Sequence, residues 1–179
     1  MFPMLKKFKN LFLNKTAKFD FEEQVVKIED QKFTLRKATQ HDAIQFMQIQ
    51  ETIYPIPVPW PIDIVEMEID NKNALYLSLV DDKTVIAFIG ISLSDQNESH
   101  ITNLAVNVDY HNMGIGHLLM NVAFKYCRER KYPKMSLEVD VTNKDALALY
   151  DAFGFKVKTV HKKYYFRNHH DALEMIVDL

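Results

Sequence analysis

The sequence predicts an α+β fold: a largely antiparallel mixed sheet that enters one central β-α-β unit, with helices on both faces. Two observations carry this. Three apolar segments, Ala74 to Val80, Thr84 to Ser94 and Glu98 to Asn107, are separated by the turn-rich Asp81-Asp82-Lys83 and Asp95-Gln96-Asn97, the pattern of an antiparallel meander. Alternation then gives way to helical spacing from Gly114 to about Arg130, with Leu118, Leu119, Val122, Ala123, Tyr126 and Cys127 apolar. Met135 to Val141 reads as a strand again, which closes the unit.

The other elements fit that frame. Phe33 to Lys37 alternates as a strand. Thr39 is placed to cap a helix running through Gln50, with Asp42 three residues on to favour the free amides of its first turn. Pro55, Pro57, Pro59 and Pro61 make a rigid loop, since each fixes its own φ and lacks a backbone donor. Pro61 then opens a second helix to about Asn71. Asn143 to Phe153 is a short helix ended by Gly154, and Phe155 to His161 and Ala172 to Val177 form a last pair of strands. The predicted order is β-α-α-β-β-β-α-β-α-β-β.

The 179 residues suit one domain, and 47% apolar with 26% charged residues is an ordinary balance for a soluble chain with one core. A net charge of -2 gives no reason to expect direct nucleic-acid binding. The single cysteine, Cys127, cannot form an internal disulfide, which favours a reducing cytoplasm; on an apolar helix face it reads as buried and inert. No apolar run reaches the roughly 18 residues of a membrane span. Residues 1–30 form a basic amphipathic extension: Lys6, Lys7, Lys9, Lys15 and Lys18 interleave with Phe2, Leu5, Phe8, Leu11 and Phe12 at helical spacing. Such a segment either packs on the domain or serves as a membrane-surface or ribosome-facing arm, and residues 31–179 make the domain itself.

Chemistry concentrates where the third meander strand, with Asn103-Leu104-Ala105-Val106, runs through Asp109-Tyr110-His111-Asn112-Met113 into Gly114-Ile115-Gly116-His117. Glycines that open a helix let a ligand approach the backbone, and the free amides there attract anions, diphosphate above all. Two phosphate motifs fail: a Walker loop needs Lys-Ser/Thr where His117 follows Gly116, and the dinucleotide fingerprint wants a third glycine where Leu119 stands.

These segments, with Leu137-Glu138-Val139, Thr142-Asn143, Ala148-Leu149-Tyr150, Phe153-Gly154-Phe155 and Lys162-Lys163-Tyr164-Tyr165, resemble in order and spacing the GNAT acetyltransferase family, and within it the ribosomal-protein alanine N-acetyltransferases. The resemblance covers Ile101 to Leu179. It implies the GNAT-like acyl-CoA N-acyltransferase fold, acetyl-CoA as co-substrate and no metal. The coenzyme would be held by Leu104, Ala105, Val106, His111, Asn112, Met113, Gly114, Ile115, Gly116, His117 and Asn143. Leu104 and Val106 would offer backbone groups to the pantetheine arm as an added strand. His111 departs from the family's Arg or Gln, which implies weaker binding.

The resemblance also makes Glu138 the general base and Tyr150 the general acid. An α-amine of pKa ~8 must lose a proton before it attacks a thioester, and the departing thiolate needs a proton or a hydrogen bond. Trp60 and its prolines fall at the family's acceptor-side wall. Asn168-His169-His170-Asp171 is set aside as a metal site, because adjacent side chains point apart. The implied partner is an amine acceptor, such as a ribosomal-protein N-terminus, and the chain acts as a monomer or homodimer. Asp140, where relatives carry a basic residue, keeps open a small-amine or lysine acceptor. A catalytically weak acetyl-CoA-binding module is the further alternative.

Overall fold

The computed structural model describes residues 19–54, 60–93, 98–165 and 168–179. In chain order the elements are β1 (Gln24–Ile28), β2 (Gln31–Lys37), a 3-10 turn (Gln40–Asp42), α1 (Ala43–Ile53), α2 (Ile62–Ile69), β3 (Ala74–Asp81), β4 (Thr84–Leu93) and β5 (Glu98–Val106). A second 3-10 turn (Val108–Tyr110), α3 (Ile115–Glu129), β6 (Lys134–Asp140), α4 (Lys144–Ala152), β7 (Lys156–His161) and β8 (Ala172–Asp178) complete it.

Among the described residues, eight strands form one sheet in the order β1-β2-β3-β4-β5-β6-β8-β7, in which β5 and β6 run parallel and every other neighbouring pair antiparallel. The mixed sheet and its β-α-β crossover match the sequence-based expectation. The strand β1 does not appear in that expectation. It is short and at the sheet edge, and only Val26 and Ile28 turn inward, too little alternation to stand out. The expected helix over residues 2 to 12, Pro55, Pro57 and Pro59, and the turn at residues 95–97 lie outside the described residues.

The sheet separates two apolar layers. On one face α3 packs Ile115, Leu119, Met120, Ala123 and Cys127 against Leu75, Leu77, Ile89, Ile101, Met135 and Leu137. On the other, Phe46 and Ile49 of α1 and Val65 of α2 meet Tyr76, Phe88 and Ala105, and the Phe46 and Phe88 rings stack at 3.9 Å. The middle strands are covered on both sides, so β3 and β4 read as near-continuous apolar runs.

Two polar devices tie α1 into this frame. Asp42 is buried and accepts both Arg36 guanidinium nitrogens at 2.7 and 2.8 Å, the Thr39 amide at 2.8 Å and the Ser78 hydroxyl at 3.0 Å. Burial works to raise its proton affinity, but these donors prevail and hold the carboxyl below its ordinary range. Gln50, fully buried, accepts from the Trp60 amide at 3.3 Å and donates to the Trp60 carbonyl at 3.4 Å, which fixes the far end of the proline loop.

Candidate active site

The site begins as a parting of strands. β5 and β6 pair from Glu98 with Lys134 to Ile101 with Leu137. Beyond that point β5 keeps β4 as partner to Val106, and β6 keeps β8 to Asp140. The parting coincides with a bulge: Ile91 pairs with Ile101 and Gly90 with Asn103, which leaves Thr102 as the extra residue of β5. The Asn107 amide bonds the Ile86 carbonyl on the β4 side. By strand alternation the backbone groups of Leu104 and Val106 therefore face the opening. Ala105 lies between them with its methyl buried.

The chain then enters the loop. Asn107 accepts from the Asp109 amide, Tyr110 donates to Asp81, and Asn112 and Gly114 take φ of 63° and 76°. Gly114 is the N-cap of α3 and has no side chain to cap the first turn, so the amides of Ile115, Gly116 and His117 keep their donor capacity for a ligand. The two glycines serve different ends. A Cβ on Gly114 meets no atom within 4 Å, so its backbone angle is what demands glycine, whereas a Cβ on Gly116 comes 3.3 Å from Leu149 of α4.

The remaining loop residues divide. Met113 packs on the core and Asn112 is exposed. The His111 Nε2 lies 2.9 Å from the Val106 carbonyl, so its ring closes the loop onto β5. His117 is exposed and leans on Phe153 at 5.8 Å. Asn143 caps α4 by accepting from the Ala146 amide at 3.1 Å. A groove of about 700 Å³ runs on from this helix start; its lining includes His117, Asn121, Lys125, Arg128 and Phe153, and also the carboxylate of Glu129. Of these only His117 stands among the residues expected from sequence. Asn121 and Lys125 follow it at one-turn spacing, a polar stripe that reads as an ordinary solvated helix face.

Glu138 and Tyr150 enter from β6 and α4. The Glu138 side chain is only 8% exposed and its Oε2 lies 3.1 Å from His100 Nε2 on β5. Tyr150 is buried against Phe155, and burial pushes its phenol well above the ordinary range. Two phenols that the sequence reading gave no role share this electrostatic neighbourhood: besides burial, Tyr54 adds to the shift of Tyr150, and Asp140, Tyr164, Tyr54 and Glu138 add to that of Tyr165. Burial raises Tyr164 and Tyr165 as well.

Glu138 is the cross-strand partner of Glu174, and the second carboxylate takes Lys158 Nζ at 3.0 Å and His161 Nε2 at 2.8 Å. Among the described residues, Glu138, His161 and Glu174 bring three donor atoms within 4.8 Å of one another, a spacing that a divalent ion could span. This row of His100, Glu138, Glu174 and His161 across four strands is invisible in sequence, because it depends on register.

The Asn168 to Asp171 segment has other work. His170 Nδ1 lies 2.9 Å from Asp140, and Asp171 receives Lys162 and the Lys163 amide. Asp140 also takes the Thr142 amide and hydroxyl at 2.8 and 2.7 Å. Burial opposes ionisation there, but the Thr142 and His170 donors outweigh it and hold the carboxyl low. Asp140 thus clamps the end of β6 to the β7–β8 turn. Cys127 is buried, with its thiol pushed up to about 11 by desolvation.

The family model described as "Acetyltransferase (GNAT) family" matches residues 43–155. The chain is similar to a Bacillus subtilis (strain 168) protein named "Putative ribosomal protein bS18-alanine N-acetyltransferase", 34% identical over 122 residues, 68% of this chain and 80% of that one. It is 31% identical over 114 residues to the ribosomal protein bS18-alanine N-acetyltransferase of Salmonella typhimurium, across 61% of this chain and 76% of the relative. In fold it is similar to the ribosomal-protein-S18-alanine N-acetyltransferase from Escherichia coli, with a TM-score of 0.73 at 24% identity, covering 82% of this chain and 93% of that one.

Proposed function

The chain belongs to the acetyltransferase (GNAT) family and is an acetyl-CoA-dependent N-acyltransferase, and from that premise we propose that it acetylates a protein N-terminal α-amine, such as that of a ribosomal protein, by direct attack within a ternary complex. The observation that carries the reading is the parting of β5 from β6 beside the bare first turn of α3. The first-turn amides hold the pyrophosphate, and the Leu104 and Val106 backbone pairs with the pantetheine arm, which aims the thioester into the gap. The groove along His117, Asn121, Lys125 and Arg128 takes the nucleotide end, and its volume suits such a ligand.

In this mechanism Glu138 takes the proton from the acceptor ammonium, and the free amine attacks the thioester carbonyl. The carbonyl re-forms as the carbon–sulfur bond breaks, the thiolate leaves toward Tyr150, and the second proton, shed by the nitrogen as it becomes an amide, ends on the thiolate as free thiol. A thiolate whose thiol has an ordinary pKa near ~8.5 is a weaker base than the phenolate of a phenol raised as Tyr150 is. Tyr150 therefore acts chiefly as a hydrogen-bond donor to the departing sulfur. The similarity to alanine N-acetyltransferases over two thirds of the chain supports the α-amine acceptor. Asp140 does not oppose it, since its carboxylate is already occupied by Thr142 and His170.

The test is thiol release with an acceptor panel: an alanine-starting peptide, a lysine peptide with a blocked N-terminus, and a polyamine. Turnover on the first alone is the expected result. Turnover confined to the lysine peptide or polyamine overturns the α-amine assignment, and binding without turnover on any acceptor marks a coenzyme-binding module.

A further inference from the structure

A base that collects a proton on every turnover must also discharge it, and the Glu138 side chain is only 8% exposed. The structure holds a hydrogen-bonded path beside it. Glu138 Oε2 lies 3.1 Å from His100 Nε2, and the opposite ring nitrogen, Nδ1, lies 3.0 Å from the Ser136 hydroxyl. Ser136 is buried and donates to Glu98 Oε1 at 2.8 Å. A serine hydroxyl has one proton. If Ser136 gives it to Glu98, it can only accept from His100, so Nδ1 carries the ring proton. With Nδ1–H committed to Ser136, Nε2 is the ring nitrogen that faces Glu138.

We propose that His100 is a positioning residue for Glu138: Nε2 accepts the hydrogen bond of the carboxyl once it holds the acceptor's proton, and the ring passes a proton by way of Ser136 to Glu98. The proposal rests on Glu138 as the base. The balance is one proton: the acceptor ammonium gives it to Glu138, Glu138 to Nε2, Nδ1–H to Ser136, and the Ser136 proton to Glu98, which releases it to water. Nothing is oxidised or reduced. The ring regains its tautomer by exchange with water, since the His100 side chain is 20% exposed.

Glu174, with Lys158 and His161, adjoins Glu138 from β8 and β7. Burial raises the Tyr164 and Tyr165 phenols, and the Glu138 carboxylate adds to both shifts.

The experiment is a solvent-isotope proton inventory of kcat on the full chain, with wild type, Ser136→Ala, His100→Ala and Glu138→Gln, each checked for acetyl-CoA affinity. A bowed wild-type inventory that becomes linear in Ser136→Ala is expected. His100→Ala should lose on the order of 10²-fold in kcat at unchanged coenzyme affinity, and added imidazole should restore part of it. A wild-type inventory in Ser136→Ala, or a His100→Ala defect that imidazole does not relieve, overturns the relay. Glu138→Gln separates the two levels: full turnover in that variant overturns the base assignment, whereas its loss beside normal Ser136→Ala and His100→Ala behaviour overturns the relay alone.

Discussion

The Tyr76 hydroxyl meets the Thr102 hydroxyl at 2.9 Å above Gly90, at the residue where β5 stops pairing with β6. Tyr76 is buried on β3, so a phenol two strands away pins the bulge that opens the cleft. Gly90 makes room for this: a Cβ there would stand 2.3 Å from the tyrosine ring and 2.6 Å from Thr102 Oγ1. Gly90→Ala must displace the ring or the bulge. We expect a loss of about 1–3 kcal/mol in urea unfolding, as for an overpacked core, together with weaker acetyl-CoA binding. Wild-type affinity in that variant would separate the bulge from the cleft.

Gly114 and Gly116 should respond to alanine for different reasons and to different degrees. At Gly114 the space is open but φ is 76°, so Gly114→Ala costs about 1–2 kcal/mol through the backbone and twists the amides that face the ligand. At Gly116 the obstacle is the flexible end of Leu149, which can give by a few tenths of an ångström. Calorimetry with acetyl-CoA should show at least a tenfold loss for the first and a smaller one for the second.

Tyr150→Phe should lower kcat on the order of 10²-fold and leave acetyl-CoA affinity near wild type, because the ring still packs on Phe155. The raised phenol also means that no alkaline fall in kcat below about pH 10 belongs to Tyr150. Unchanged turnover in the variant counts against the donor role.

Asp42 should give the fold an acid limb. Its folded carboxyl is held below the ordinary value, so its stabilisation is full above the unfolded value of roughly 4 and fades as pH falls through the folded one. Asp140 adds to the same limb. Asp42→Asn leaves Arg36 without its bidentate partner and should cost about 3–5 kcal/mol near neutrality, with a flatter decline in acid. Urea midpoints across pH 3 to 7 check both.

What the sequence made legible was whatever repeats locally. The meander, the α3 stripe and the Gly114 loop each announce themselves within a dozen residues. The candidate residues Glu138 and Tyr150 came from family resemblance, and nothing in their own neighbourhoods singles them out. The partners of Glu138 stayed hidden for a physical reason. His100, Glu174 and His161 reach it from three other strands, and their meeting depends on parallel and antiparallel registers that no local pattern encodes. The β1 strand escaped because an edge strand with two inward residues has almost no signature. The structural bond of Asp140 to His170 was hidden in the same way, since it joins the end of β6 to the β7–β8 turn.

The most direct test follows the backbone amides of Gly114 to His117 by NMR while coenzyme A is titrated into the full chain. Large shifts and slowed exchange at Ile115, Gly116 and His117, with the first turn of α1 unmoved, are the result this account predicts. Saturable coenzyme binding that leaves those amides unperturbed would contradict it.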